Sequence, residues 1–373
     1  MAPYDRPADT AFGGRDDRRV TVIVVNHGTT DDLPRCVAAF DAQDLGADEL
    51  EIVVVDNATP GAGPTLDGLV ARAWKHRVRV VANATNRGYA GAINDVLAGD
   101  TAPVVVFSNV DVDPAPDAVR RCRAVLDDQP TCGSVQPLLV GVGTPAHIDS
   151  TGHVLTRARV VANRDEGRSA QEFTRPAGDV FGVSGAFAVH RRRMLDDVAW
   201  RGCGSAAGQI LTEDLFAFFE DVELDWRARR RGWTAWFAPD AVVGHERGGR
   251  GARRPAIVEE LNWANRLLVM ATCDDRGDIR RHGVSVGVTT MLSAVVLGVR
   301  HPMVLARAII RYRRGRAGAN LRRRELDERA RCSAASVLDE WAVDLRWRAW
   351  LATALRARWR AGATTRQRRR PRR

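Results

Sequence analysis

Five runs of β-branched and aliphatic residues recur through the first 140 positions: VTVIVVN at 20–26, EIVVVD at 51–56, VRVVA at 78–82, PVVVFS at 103–108 and GSVQPLL at 133–139. Most are almost continuously apolar instead of alternating, so as strands they must be covered on both faces. Between them lie segments with helical spacing at about 31–44, 64–76, 89–99 and 115–128. Strand and helix alternating in this way specify an α/β fold with a largely parallel sheet between helical layers. From about 145 to 190 the texture changes to short strands and glycine turns, as in IDSTGHVLTRARVVANRDEGR and DVFGVSGAFAVHRR, and a last strand is expected at 234–238, TAWFA.

Open sheets of this kind bind ligands beyond the carboxyl ends of their strands. Asn26-His27-Gly28 and Asp56-Asn57 fall at two such ends, and VVVFSNVDVDP at 104–114 supplies a third. Residues two apart in an extended segment point the same way. Asn109, Asp111 and Asp113 are therefore expected to converge on one side of the strand end. Oxygen donors gathered there suit a hard divalent cation such as Mg²⁺ or Mn²⁺, with a substrate diphosphate completing its shell. A solvated turn capped by aspartates is the alternative.

Further along, Leu215, Phe219, Val222 and Trp226 follow helical spacing on one face. Glu220 and Asp221 sit beside that stripe, where burial raises a carboxylate toward the working range of a general base. The alternative is a surface helix stapled by Glu223–Arg227 and Asp225–Arg229 at i,i+4, which leaves Glu220 and Asp221 without partners. His245 closes the short apolar strand AVVGH, where a lone histidine is more often structural than a ligand. The loop NATNRGYAGAIND, 83–95, has glycines that let backbone approach a phosphate or a base before opening a helix.

Taken in order, VIVVNHGTTDDLPRCV, EIVVVDNAT, NRGYAGAIND, FSNVDVDP, VSGAFAVHRR, FFEDVELDWRARRRGW and APDAVVGH resemble the successive motifs of the family 2 inverting glycosyltransferases, especially their rhamnosyltransferase-like branch. The resemblance covers about residues 20–250. It implies a GT-A fold, a Rossmann-like domain that binds a nucleotide-sugar. Within it, Asp56 matches the acidic residue that hydrogen-bonds the pyrimidine base, with Asn26 and Asn57 nearby on the donor side, and Asn86 and Gly88 match the loop lining the nucleotide. Asn109 and Asp111 fall on the metal-binding Asp-x-Asp, and Asp113 is a further candidate ligand.

The resemblance places Asp221 on the catalytic base with Glu220 beside it, and His245 near the diphosphate and metal. Gly185 and Ala186 match the loop flanking the acceptor, and Trp226 and Arg230 belong to the helix near the donor and acceptor sites. Two positions depart from the pattern: Asn109 stands where many members have Asp, and Gly28 where Asn is usual. The implied reaction is metal-dependent sugar transfer with inversion, from a donor such as dTDP-L-rhamnose or UDP-galactofuranose to a lipid-linked or polysaccharide acceptor of the cell envelope. Nucleotidyl transfer to a sugar phosphate is weaker, because Asn26-His27-Gly28-Thr29-Thr30 has no lysine. A non-catalytic carbohydrate- or membrane-binding scaffold is the other alternative, disfavoured by an intact Asp111, Asp221 and His245.

Charge divides the chain. Residues 300–373 hold 22 arginines against six acids, a net of +16 in a chain of +10, which leaves the first 299 residues at −6. Trp341, Leu345, Trp347, Trp350, Leu351 and Leu355 recur among these arginines near helical intervals, the pattern of a basic amphipathic helix suited first to an anionic membrane surface, with a packed helical appendage as the second reading and nucleic-acid binding as the third. Residues 284–299 lack charge for 16 positions, short of the roughly 20 a spanning helix needs, and a buried or interfacial helix is expected there. Six scattered cysteines with no CxxC pair fit a reducing cytosol. The expected organisation is a disordered lead-in at 1–19, the GT-A domain at 20–250, a helical extension at 251–320 and a basic amphipathic tail at 321–373. It implies an enzyme in the cytoplasm, held peripherally at the inner face of the membrane.

Overall fold

The computed structural model describes residues 18–28, 30–142, 146–202, 206–246 and 256–347. Strands β1 (Val20–Asn26), β2 (Leu50–Asp56) and β3 (Arg77–Ala82) alternate with helices α1 (Leu33–Asp41), α2 (Gly63–Ala71) and α3 (Gly88–Leu97). Then come β4 (Val104–Asn109), β5 (Val112–Pro114), α4 (Ala118–Asp128), β6 (Cys132–Gly141) and β7 (His147–Ser150), followed by β8 (His153–Thr156), β9 (Val161–Asn163), β10 (Gly178–Asp179) and β11 (Phe187–Arg191). Helices α5 (Arg192–Val198) and α6 (Glu220–Arg230) precede β12 (Thr234–His245), and α7 (Ala256–Cys273), α8 (Arg276–Arg281), α9 (Gly283–Arg300), α10 (Pro302–Arg329), α11 (Ala334–Trp341) and β13 (Ala342–Val343) follow it.

The main sheet runs in the order β10-β12-β6-β11-β4-β1-β2-β3. The β1, β2, β3 and β4 pairings are parallel, as is β12 with β6, while β11 runs antiparallel between β4 and β6. The continuous apolar runs are explained by covering on both sides. Val20, Val22 and Val24 of β1 enter one core with α1, α2 and α4, and Ile23 enters a second with α3, α5 and α6. Register brings the strand ends level, because Asn26 pairs with Asp56, Asp56 with Ala82 and Val25 with Asn109.

Three expectations change. First, β4 stops at Asn109, the chain turns at Val110 and Asp111, and β5 pairs antiparallel with β12. The alternate spacing of Asn109, Asp111 and Asp113 therefore does not place them on one strand face. Second, α6 begins only at Glu220, after Leu215 has closed a 3-10 turn and Phe216, Phe218 and Phe219 have adopted left-handed backbone. Third, α10 runs unbroken through 320 and 321, where the extension was expected to give way to the tail.

Helices α7, α10 and α11 pack back onto the sheet domain through a third core that joins Leu268, Ala319, Leu326 and Leu338 to Phe181 and Trp226. Trp341 turns inward here against Phe181 and the Arg229 guanidinium. The positions Trp350, Leu351 and Leu355, and most of the expected lead-in, lie outside the described residues.

Candidate active site

At the β1 and β2 ends, side chains build the loops. Asn26 Nδ2 donates to Asp56 Oδ1 (2.8 Å) and Thr59 Oγ1 (3.1 Å), and Asp56 Oδ2 accepts from the Thr59 amide at 3.0 Å. Asn57, almost wholly buried, donates to the Gly88 carbonyl (2.8 Å) and accepts from Asn83 Nδ2 and the Arg87 amide. Asn86 Oδ1 accepts from the Gly88 amide at 2.8 Å. Gly88 has φ +72°, and a Cβ there would stand 2.3 Å from the Phe216 carbonyl oxygen. This loop therefore meets the segment entering α6, and the Phe216 carbonyl accepts from the Ala90 amide.

The acidic turn after β4 faces the end of β12. Asp111 Oδ1 lies 3.4 Å from His245 Nε2, and Asp149 Oδ2 of β7 lies 2.8 Å from His245 Nδ1. Burial opposes charging the imidazole, but the two carboxylates outweigh it and raise its pKa to about 9. Asp113 points elsewhere: its side chain is 57% exposed and lies 4.0 Å from Arg35. Among the described residues no three His, Cys, Asp or Glu side chains group as a metal site. The fit is thus partial. Asp111 supplies a carboxylate, and His245 would add an imidazole nitrogen once a bound cation displaces its Nε2 proton, a donor set for Mg²⁺ or Mn²⁺ that a diphosphate and water complete.

At the start of α6 the two acids separate. Glu220 is buried, with Oε2 lacking a hydrogen-bond partner, in a small cavity lined by Tyr89, Phe107, Val183, His190 and Leu211. Burial first, then the neighbouring Asp221 charge, raises its carboxyl to about 8. Asp221 is 24% exposed at its side chain, and its Oδ2 accepts from the Gly185 amide at 2.9 Å. Gly185 in turn accepts from the Tyr89 hydroxyl at 2.8 Å, which ties the start of α3 to the residue that holds Asp221. Ala186 accepts from the Asn109 amide at 2.9 Å, so the segment before β11 also braces the end of β4.

His153 lies behind Asp221, with Nδ1 2.8 Å from Asp225 Oδ2 and Nε2 3.5 Å from Asp221 Oδ2. Burial opposes its protonation, but Asp221 and Asp225 raise its pKa above the ordinary value. Asp225 also accepts from the Val183 amide, an approach that needs Gly182, where a Cβ would stand 1.9 Å from Asp225 Oδ2. The Asp225–Arg229 staple is therefore not formed. Arg229 donates to the Phe181 and Val180 carbonyls, and Glu223 binds the Thr212 hydroxyl while standing 3.7 Å from Arg227. All but Asp221 of the eleven residues of α6 are buried, so it is an internal helix.

The chain matches glycosyltransferase like family 2 over residues 17–262. It belongs to that family. No protein of curated function matches it in sequence. Among solved structures, this glycosyltransferase is similar to GalNAc-T7 with UDP, GalNAc and Mn²⁺, at TM-score 0.58 and 14% identity over 88% of the chain. The match spans 57% of the GalNAc-T7 chain. It is also similar to S. aureus TarS 1–349 in complex with UDP-GlcNAc, at TM-score 0.51 and 13% identity, covering 83% of this chain and 90% of that one. These likenesses show a shared GT-A fold.

Within this family 2 glycosyltransferase, three expected site residues are turned into the protein interior. Arg230 binds Asp327 (2.7 Å) and the Cys332 carbonyl, facing the C-terminal helices instead of a donor. Trp226 is buried against Phe181 in the third core, so it offers no acceptor surface. Glu220 is likewise turned inward. Sequence reading missed His153 and Asp149, and considered Asp225 only as a partner of Arg229. The visible signal was a polar residue on each side of the glycine turn in IDSTGH, but their partners lie 72 and 96 residues away.

Proposed function

We propose that this enzyme transfers a sugar from a nucleoside diphosphate donor to an acceptor hydroxyl in one inverting displacement, with Asp221 as general base. The observation that supports the reading is the sorting of the acids. Asp221 is partly exposed and oriented by the Gly185 amide and His153, while Glu220 is buried. Asp221 accepts the acceptor proton as the hydroxyl oxygen attacks the anomeric carbon from the face opposite the leaving diphosphate. Asp111, with His245 beside it, would hold a divalent cation, which when bound offsets the charge of the departing diphosphate. Asn57, Asn86 and Gly88 shape the loop against which the nucleotide rests.

Family likeness favours dTDP-L-rhamnose or a UDP-sugar as donor and a lipid-linked or polysaccharide acceptor in cell-envelope glycan synthesis. The basic C-terminal region supports work at the inner face of the cytoplasmic membrane. A screen of nucleotide-sugars by thermal shift, with and without Mn²⁺, identifies the donor. Turnover by Asp221→Asn then tests the base: donor binding should match wild type while turnover falls about 10²- to 10⁴-fold. Wild-type turnover in that variant would remove Asp221 from the role.

A further inference from the structure

We propose that the exposed apolar face of α9 is a membrane-docking surface that seats the protein on an anionic lipid bilayer without crossing it. Helix α9 is the one helix among the described residues long and apolar enough to cross a membrane, and only Val286, Thr289 and Leu297 in it are buried. Val284, Val288, Met291, Val295 and Val299 recur at steps of three or four, so they form one stripe. They are 84, 38, 66, 55 and 78% exposed, and Met303 continues the exposed apolar surface into α10 at 72%. Soluble surfaces scatter such residues singly, and a contiguous stripe marks a contact surface.

The opposite face sets the geometry. Arg266 of α7 donates to the Ala158 and Arg159 carbonyls and to the hydroxyls of Thr289 (3.1 Å) and Thr290 (3.2 Å), and Thr289 donates to the Ala158 carbonyl. A spanning helix has lipid or other membrane helices around it. Helix α9 has 18 residues and one side hydrogen-bonded to the catalytic domain, the arrangement of a helix lying in the interface plane. Of the two expected readings, a buried and an interfacial helix, the exposure of α9 favours the interfacial one that the proposal takes.

Charge selects the occupant. From Ile279 to Arg324 the chain holds eleven arginines and no aspartate, glutamate or lysine. Arg276, Arg280 and Arg281 before α9, and Arg313, Arg314 and Arg316 on α10, are exposed. These exposed arginines, on the segment entering α9 and on the helix leaving it, complement anionic lipid phosphates. A second copy of the chain would bring the same positive charges face to face, which disfavours self-association here. The inference stands apart from the sugar-transfer reading, since neither donor nor acceptor enters it.

Flotation of the full chain with phosphatidylcholine vesicles, with and without phosphatidylglycerol, tests the surface. Wild type should float with the anionic vesicles, and Val288→Glu/Met291→Glu/Val295→Glu should bind them at least about tenfold more weakly with an unchanged thermal midpoint. Arg280→Glu/Arg281→Glu should erase the preference for phosphatidylglycerol. If the triple glutamate variant melts early, serine at the same three positions adds no charge and should also reduce flotation. Undiminished flotation of a folded triple variant overturns the proposal. So does a wild type that ignores vesicles and sediments as a dimer that the triple variant dissociates.

Discussion

His153 stands where one imidazole meets two carboxylates of α6, and if Asp221 is the base, as proposed, His153 is a positioning residue. His153→Ala should lower kcat by about tenfold or more with little change in donor KM, whereas His153→Gln, which keeps a donor toward Asp225, should recover part of the loss. Steady-state kinetics across pH checks both. Glu220 carries a different consequence. Its folded pKa is raised from 4.5 to about 8, so between those values the unfolded chain has released a proton that the folded protein keeps. Stability from this group therefore falls as pH rises through that window, by on the order of 1 kcal/mol per pH unit. Asp225, raised by burial to about 6, adds the same sign at lower pH. Denaturant melts at several pH values should show a flatter profile for Glu220→Gln than for wild type, and equal slopes would contradict the buried placement.

At the scale of elements, the entry to α6 is the costly part of the fold. Phe216, Phe218 and Phe219 have φ of 66°, 66° and 71°, a region that side chains other than glycine or asparagine seldom adopt. One buried residue of α7 compensates: Asn265 Nδ2 lies 2.7–2.9 Å from the carbonyls of Leu215, Ala217 and Phe218. Asn265→Ala should cost about 2 kcal/mol in urea unfolding by stranding buried carbonyls, and should lower turnover by loosening Asp221. Gly88→Ala strikes the same junction from the other side, because its Cβ would meet the Phe216 carbonyl. Calorimetric titration should show weakened nucleotide binding in that variant. No phenylalanine in AFFED announces a left-handed backbone, so apolar spacing alone extended the helix to Leu215.

Over the whole molecule, the C-terminal helices complete the catalytic domain. Ala319 and Leu326 of α10 and Leu338 of α11 close the core that holds Trp226, and β13 extends the small β8–β9 sheet. Truncation after Arg300 strips that wall from α6 and should abolish the cooperative thermal transition seen by circular dichroism. A sharp transition near the wild-type midpoint would show that the sheet domain stands alone. The acidic body and basic C-terminal region, so marked in the sequence, meet directly here: Arg322 of α10 pairs with Asp214 of the body, and a second pair, with the signs exchanged, joins Asp327 of α10 to Arg230. Part of the C-terminal arginine charge is thus used inside the fold, while Arg313, Arg314 and Arg316 of α10 are exposed.

The residues alone determined the layered α/β sheet, because β-branched runs and helical spacing are local signals of burial, and they located the polar strand ends at Asn26, Asp56 and Asn109. Motif order also singled out Asp111, Asp221 and His245. What only tertiary structure decided was partnership and direction: Asp221 partly exposed and Glu220 buried, Asp113 turned to solvent, Arg230 bound to Asp327, and Asp225 joined to His153 instead of Arg229. Periodicity reports which face of an element is apolar. It carries no information about which distant polar group arrives at the other face, and across the 72 residues between His153 and Asp225 chain packing alone sets that meeting.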